Sequence, residues 1–210
     1  MSDLTPDELA EIARITVAHY NFNAERFWDG TRDHDVSQNM DALCVAIEGS
    51  GPWRILDFGC GPGRDLMAWK ARGHEPVGLD GSARFCEMAR ANSGCEVLNQ
   101  DFLELDLPDA HFHGVFANAT LFHVPTQELA QVLARLRGAL APRGVLFSSN
   151  PRGSNVEGWN GSRYGAYHDL GAWTRFVVEA GFEPVDHYYR PPGKPRDQQP
   201  WLASTWRRLD

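Results

Sequence analysis

The run Ile55-Leu56-Asp57-Phe58-Gly59-Cys60-Gly61-Pro62-Gly63 drives an apolar strand straight into a glycine-rich turn, and a helix is predicted behind it over Asp65 to Arg72. Glycines at alternate positions remove side chains where a ligand must approach the backbone. A dinucleotide turn of the G-x-G-x-x-G kind needs its third small residue at position 64, but Arg64 stands there and Gly63 comes one position early. That spacing, with Asp57 just before it, suits a ligand without a pyrophosphate: an amino-acid portion beside the turn and a nucleoside over it. A second strand, Pro76 to Leu79, completes a βαβ unit and ends at Asp80-Gly81, where a carboxylate can accept both ribose hydroxyls. After a third strand, Glu96 to Asn99, Gln100-Asp101-Phe102 supplies an acid and an aromatic ring to bracket a base. A lone glycine turn is often only a tight βα connection. The ordered succession of strand, turn, helix, strand and acid argues for a binding site.

The same alternation extends along the chain. A helix is predicted over Ala83 to Ala91, a strand at Gly114 to Asn118, a helix over Thr126 to Leu140 and a strand at Gly144 to Ser149, which implies a doubly wound parallel sheet of Rossmann-like α/β type. Upstream, Thr5 and Pro6 start a leading helix running to about Phe27, a second helix spans Val36 to Ala46, and Gly49, Gly51 and Pro52 break the chain before the first strand. Downstream, Asn150 to Gly165 is expected to be an irregular Gly-, Asn- and Trp-rich loop, followed by a helix over Gly171 to Ala180. Two strands, Glu183 to Tyr189 and Leu202 to Arg207, are joined by the Pro-rich loop Pro191 to Pro200 without a helix, so they should pair antiparallel. The expectation is one domain over 1–210, with a helical lid at 1–50, a ligand-binding core at 51–150, and a substrate loop with terminal strands at 151–210.

Composition narrows the function. A net charge of −8 on 210 residues disfavours nucleic acid, whose binding rests on Lys and Arg neutralising phosphates. No run approaches a membrane span, and Met1 to Ala10 carry acids and no apolar signal segment, so a cytoplasmic protein with a small-molecule substrate is expected. The four cysteines form no C-x-x-C or Cys/His cluster, so neither a metal site nor a disulfide framework is expected.

Residues 54–150 resemble the class I S-adenosylmethionine-dependent methyltransferases, which share a seven-stranded sheet with an antiparallel last strand. The resemblance implies that Asp57, Gly59, Cys60, Gly61 and Gly63 hold the methionine part of the donor. Asp80 and Gly81 would then hold the ribose, and Asp101 and Phe102 the adenine. The stretch Asn118-Ala119-Thr120-Leu121-Phe122-His123 matches the fourth-strand end, which places Asn118 and His123 at the methionine moiety, and S-adenosylhomocysteine would be the product. The flanks resemble the methyltransferase domain of ovothiol synthase, through Tyr20-Asn21-Phe22-Asn23-Ala24-Glu25-Arg26-Phe27-Trp28-Asp29-Gly30, Ser148-Ser149-Asn150-Pro151-Arg152-Gly153, Glu157-Gly158-Trp159-Asn160-Gly161 and Arg163-Tyr164-Gly165-Ala166-Tyr167-His168. That likeness implies methylation of the π ring nitrogen of 5-mercaptohistidine to ovothiol A. It also implies a stand-alone enzyme, coupled in function to a separate iron-dependent sulfoxide synthase that makes the thiol.

Methyl transfer from a sulfonium requires the acceptor lone pair in line with the carbon–sulfur bond. The acceptor's own thiolate competes with its ring nitrogen, so polar and aromatic side chains must fix the ring. Two clusters offer them. Tyr20, Asn23, Phe27 and Asn39 are substrate candidates in the leading segment, where Trp28 is expected to face the cationic sulfonium and Arg32, Asp33 and His34 also fall. After the fifth strand, Arg152, Trp159, Asn160 and Tyr164 are substrate candidates beside Arg163. Arg152 is the favoured carboxylate anchor, because a guanidinium grips two oxygens. Tyr167, His168 and Asn150 are the candidates for ring contact or proton handling. Packing, or a solvated loop position, is the competing reading for each of these aromatics, histidines and arginines. Two other functions stay open: a methyltransferase for another small thiol, amine or carboxylate, and a non-catalytic donor-binding module.

Overall fold

The computed structural model describes residues 3–210, so the reading of Met1 lies outside the described residues. Helix α1 (Pro6–Phe22) starts on a capping box, in which the Thr5 hydroxyl accepts from the Glu8 N–H and the Glu8 carboxylate accepts from the Thr5 N–H. The leading helix does not continue to Phe27. It breaks at Asn23, whose side-chain amide and backbone N–H both donate to the His19 carbonyl, and α2 (Ala24–Thr31) sets off in a new direction. Asparagine competes with the helical ladder through its side chain and so belongs at such ends. Helix α3 (Ser37–Ala46) follows.

The sheet is built from β1 (Arg54–Phe58), β2 (Glu75–Asp80), β3 (Val97–Asn99), β4 (Phe112–Asn118) and β5 (Leu140–Pro151), with α4 (Arg64–Ala71), α5 (Ala83–Ser93) and α6 (Leu129–Ala139) between them. The chain then forms β6 (Val156–Asn160), β7 (Arg163–Tyr167), α7 (Leu170–Glu179), β8 (Phe182–Arg190) and β9 (Trp201–Arg208). Seven strands lie in the order β3-β2-β1-β4-β5-β9-β8. β9 alone runs antiparallel, inserted between β5 and β8, as expected of the last strand.

Strand alternation sorts the core onto two faces. Leu56, Phe58, Val115 and Leu146 point to α6 and α7, where they meet Leu133, Leu136 and Trp173. Ile55, Phe116, Val145 and Phe147 point the other way, to Met40 and Leu43 of α3 and Trp69 of α4. With both faces covered, the carboxyl ends of β1, β2, β4 and β5 are left open at one edge of the sheet, which is where open α/β sheets hold their ligands.

The segment expected to be an irregular loop departs from that expectation, because β6 and β7 form a separate two-stranded hairpin. Gly161-Ser162 is its two-residue loop, with Gly161 at φ +63° and Asn160 paired to Arg163. A glycine at the first loop position supplies the turn geometry that matches strand twist. The helix expected over Thr126 to Leu140 begins later, at Leu129, after short 3₁₀ turns, and Leu140 already belongs to β5. Among the described residues no helix is long and apolar enough to cross a membrane.

Candidate active site

A cavity of about 860 Å³ opens at the carboxyl edge of the sheet, between the Gly59–Gly63 turn and the helices α1 and α2. It lies in the upper range of small-molecule sites, with room for a nucleoside donor and a small acceptor together. The glycines of the turn serve different neighbours. Gly59 (φ +78°) leaves the space that the Thr120 side chain fills, and Gly63 (φ +93°) lets Ala89 of α5 approach, since a Cβ there would lie 2.8 Å from the Ala89 Cα. Gly61 faces the cavity, with Phe27 of α2 as the nearest side chain, 3.7 Å from where its Cβ would be.

Asp80 fastens the turn to the second strand. Its Oδ2 accepts from the Gly61 N–H at 3.0 Å and its Oδ1 from the Ser82 N–H at 2.8 Å. Burial pushes its carboxyl up to about 6, against the two backbone N–H groups that favour the anion. Asp101 stands exposed at the mouth, where its Oδ1 accepts from the Leu103 N–H at 2.9 Å. Beside it the Phe102 ring packs on Phe58 at 4.5 Å. Asp57 lies behind the turn and does not line the cavity. Burial, reinforced by the nearby Asp65, holds its carboxyl well above the usual carboxylate range, and its Oδ2 has no hydrogen-bond partner.

The methionine end of the expected donor seat is framed by a chain of polar groups. Tyr188 donates to Asn39 Oδ1 (2.9 Å), Asn39 donates to Asn118 Oδ1 (2.9 Å), and Asn118 donates to Asp65 Oδ2 (3.2 Å). Asp65 is gripped by both arms of Arg64, at 2.6 and 2.9 Å, and Arg64 donates to the Thr31 carbonyl at the end of α2. The sequence reading missed Arg64 and Asp65 as cavity residues. Their position on the first turn of the helix behind the glycine turn was the available signal.

On the opposite side, the Tyr20 hydroxyl and His123 Nε2 are 2.7 Å apart, and His123 Nδ1 is 2.6 Å from the Tyr164 carbonyl. A carbonyl only accepts, so Nδ1 carries the hydrogen, Nε2 is an acceptor, and Tyr20 donates to it. Burial pushes His123 down to about 4, leaving the ring neutral at physiological pH, and burial likewise raises the Tyr20 hydroxyl.

Of the candidates named from sequence, Tyr20, Phe27, Asp33, His34, Gly59, Cys60, Gly61, Asp80, Gly81, Asp101, Phe102, Asn118, His123 and Arg163 line this cavity. The others lie elsewhere, each for a visible reason. Asn23 caps α1, and Asn39 is buried in the polar chain beneath the cavity. Trp28 packs with Ala24, Phe85 and Met88. Trp159 and Asn160 sit exposed on the hairpin, while Tyr164 is buried and gives its backbone N–H to Thr16 of α1. Asn150 is turned by strand alternation toward α7, where it and His168 border a separate cavity of about 10 Å³ with Trp173. Tyr167 packs beside Phe122 at 6.1 Å and against Gly153.

Arg152 is also displaced from its expected role as the acceptor's anchor. Its Nε donates to the Gln199 carbonyl at 2.8 Å, its Nη2 to the Arg196 carbonyl, and it stands over the Tyr189 ring. It pins the Pro-rich loop between β8 and β9. Arg152→Ala should therefore lower stability by about 1–3 kcal/mol, the range for a charged hydrogen-bonding group, while acceptor KM stays unchanged. Urea unfolding and initial-rate kinetics check the two halves.

Residues 55–144 match a protein family described as a methyltransferase domain. An uncharacterized methyltransferase of Mycobacterium bovis is 33% identical over 113 residues, 51% of this chain and 55% of that protein. A malonyl-[acyl-carrier protein] O-methyltransferase of Erwinia pyrifoliae is 36% identical over 106 residues, 50% of this chain and 40% of that protein. The chain thus spans about half the length of the curated relatives it matches. The crystal structure of Burkholderia thailandensis 1,6-didemethyltoxoflavin-N1-methyltransferase, with 1,6-didemethyltoxoflavin and S-adenosylhomocysteine bound, superposes with a TM-score of 0.81 at 22% identity, covering 100% of this chain and 93% of that one. The fold is that of the class I methyltransferases. In this methyltransferase fold, the matched segment is the part that carries the glycine turn, Asp80, Asp101 and His123.

Proposed function

We propose that the chain is an S-adenosylmethionine-dependent methyltransferase that methylates the π ring nitrogen of 5-mercaptohistidine, giving ovothiol A and S-adenosylhomocysteine. The observation that carries the donor assignment is Asp80. It is a buried carboxylate held by the Gly61 and Ser82 N–H groups at the floor of a cavity that a nucleoside can enter. Its remaining lone pairs suit the two ribose hydroxyls, and the free oxygen of Asp101 with the Phe102 ring suits an adenine edge and face. The floor is narrow as well. A Cβ at Gly81 would come within 3.2 Å of Val17, so the glycine lets α1 close down over the end of β2.

Bound there, the donor supplies a methyl group on a positively charged sulfur. Phe27 and Tyr20, edge to face at 5.8 Å, wall that region off from solvent and present π faces suited to a cation. The neutral imidazole nitrogen already has its lone pair, so the work of the protein is orientation. With His123 held neutral and Tyr20 donating to it, the Tyr20 oxygen turns lone pairs rather than a hydrogen toward the cavity. Tyr20 can therefore accept from the acceptor's ring N–H or ammonium and settle which ring nitrogen faces the donor. The likeness of the flanks to the methyltransferase domain of ovothiol synthase supports this acceptor. The B. thailandensis structure supports the capacity of the fold to present a ring nitrogen. Coupling to a separate iron-dependent sulfoxide synthase, as the source of the thiol, is part of the same proposal.

The test is incubation with S-adenosylmethionine and 5-mercaptohistidine, with NMR locating the methyl group. One methyl on the π nitrogen is expected. Methylation at sulfur overturns the assignment of the acceptor atom, and absence of product despite donor binding by calorimetry overturns the acceptor itself.

A further inference from the structure

Among the charged side chains on the cavity wall acids outnumber bases, with Asp33, Asp35, Asp65, Asp80 and Asp101 facing it. Three arginines also reach it, and two are engaged: Arg64 is paired with Asp65, and Arg190 is directed to the Asp35 carbonyl at 3.4 Å. Arg163, at the start of β7, makes no ion pair with a carboxylate among the described residues. It is half-buried, on the hairpin that α1 clamps through Thr16 and through the contact of His19 Nδ1 with the Ser162 hydroxyl at 2.6 Å. Its guanidinium faces the Tyr20 hydroxyl, where its hydrogen bonding and then its charge oppose the rise of that hydroxyl. Its charge also bears on His123, so its present neighbours are neutral and no anion among the described residues balances it. A partly buried guanidinium without a counter-ion is costly, and its planar fork is built for two carboxylate oxygens.

Its surroundings leave that corner without another anion-binding donor. The Tyr20 hydrogen is committed to His123, the His123 Nδ1 hydrogen to the Tyr164 carbonyl, and the Tyr164 N–H to Thr16. Ile12, Ala13, Val124 and Pro125 supply an apolar wall. The corner is also at the right end of the cavity for an acceptor. Tyr20 touches Phe27, and Phe27 touches Gly61 of the donor turn.

We propose that Arg163 is the anchor for the carboxylate of the methyl acceptor, so that the cavity selects amino acids over their decarboxylated amines. The inference rests on the acceptor proposed above being an amino acid, and it replaces Arg152, whose guanidinium is spent on loop carbonyls. With the carboxylate held at Arg163, the acceptor ring extends past Tyr20 toward the donor, and its ammonium group meets the acids of the wall.

The test is calorimetry of the protein saturated with S-adenosylhomocysteine, titrated with 5-mercaptohistidine and with the corresponding decarboxylated mercaptohistamine. The wild-type chain should prefer the carboxylate-bearing ligand by about 10- to 100-fold, the span of a charge-assisted bidentate pair. Arg163→Gln should erase that preference while the mercaptohistamine Kd moves by no more than about threefold, and Arg163→Lys should restore part of it, since a point charge lacks the fork. Thermal unfolding of each variant establishes that it is folded. Equal weakening of both ligands, or a preference that survives Arg163→Gln, overturns the assignment. If the wild-type chain binds neither ligand, the acceptor proposal fails by itself, and malonate titrations decide Arg163: malonate binding lost in Arg163→Gln upholds its role, and no malonate binding to the wild type ends it.

Discussion

Asp80→Asn should reduce affinity for S-adenosylmethionine by about 100-fold or more, because two charge-assisted hydrogen bonds of roughly 1.5–3 kcal/mol each are at stake. The loss has two parts. An amide presents one acceptor oxygen instead of two, so either Gly61 or Ser82 is left with an N–H facing another N–H. The ribose hydroxyls lose a charged acceptor at the same time. Isothermal calorimetry at neutral pH reads the sum, and an affinity within a few-fold of wild type would remove Asp80 from the donor seat.

A pH dependence accompanies that loss. Burial holds the ligand-free Asp80 carboxyl at about 6, so donor affinity should fall as pH drops below 6, by up to tenfold per unit, and the Asn variant should lack that limb. Stability of the ligand-free protein runs by opposite contributions. Between the ordinary carboxylate value and about 6 the folded chain holds a proton on Asp80 that the unfolded chain releases, so this group lowers stability as pH rises through that window. His123, held at about 4 against an ordinary 6.5, is neutral in the fold where the unfolded chain binds a proton, so it raises stability as pH climbs from 4 to 6.5. The two slopes offset each other. Asp80→Asn should therefore make ligand-free stability rise more steeply with pH across that interval, as urea midpoints taken at a series of pH values would record.

Gly59→Ala should cost about 2–5 kcal/mol of stability, adding roughly 1–2 for an L-residue in the left-handed region and 1–3 for overpacking. The added Cβ would overlap the Thr120 side chain, with the Thr120 Cβ 2.8 Å away and Oγ1 and Cγ2 nearer still. Such a loss is a large fraction of the roughly 5–15 kcal/mol that holds a domain together. Gly49→Ala is the control. That glycine also has positive φ, at +85°, but nothing lies within 4 Å of the added atom, so about 1 kcal/mol is expected. Adding Thr120→Ala to Gly59→Ala should recover about half of the loss, with the residual combining backbone strain and the contact with the Cβ that alanine keeps at 120. A Gly59→Ala protein as stable as the Gly49→Ala control would show that the two side chains do not compete for this space.

The parallel core was readable from the sequence because each of its elements is local. Apolar runs such as Ile55 to Phe58 and Gly144 to Ser149 are bounded by glycine or asparagine, while Asp80 closes β2 and Asp101 comes two residues after β3. The hairpin was not readable by the same test. Its strands alternate weakly, and the Gly161-Ser162 turn signal was submerged in a stretch rich in glycine and asparagine. The site divides along the same line. Donor-side residues sit within a few positions of a turn, so their direction follows from strand and loop geometry. The acceptor side depends on which face of β5 a side chain takes and on what the hairpin packs against. Composition therefore grouped Asn150, Arg152 and His168 with Arg163, although only Arg163 reaches the cavity. Likewise Asn23 looked like a pocket residue because nothing in its neighbourhood announced a break between two helices.

The insertion of β9 between β5 and β8 makes the sheet's completion a late event. Residues 140–151 and 182–190 are joined only through 201–208. A chain still emerging from the ribosome before Trp201 has an open ladder along β5, and a β8 with nothing to zip onto. The Pro-rich loop tied down by Arg152 hangs on the same closing step, as do the cavity residues Arg190 and Trp201. A core that can condense early and a ligand cavity finished last put completion of the site behind the slow, long-range part of folding.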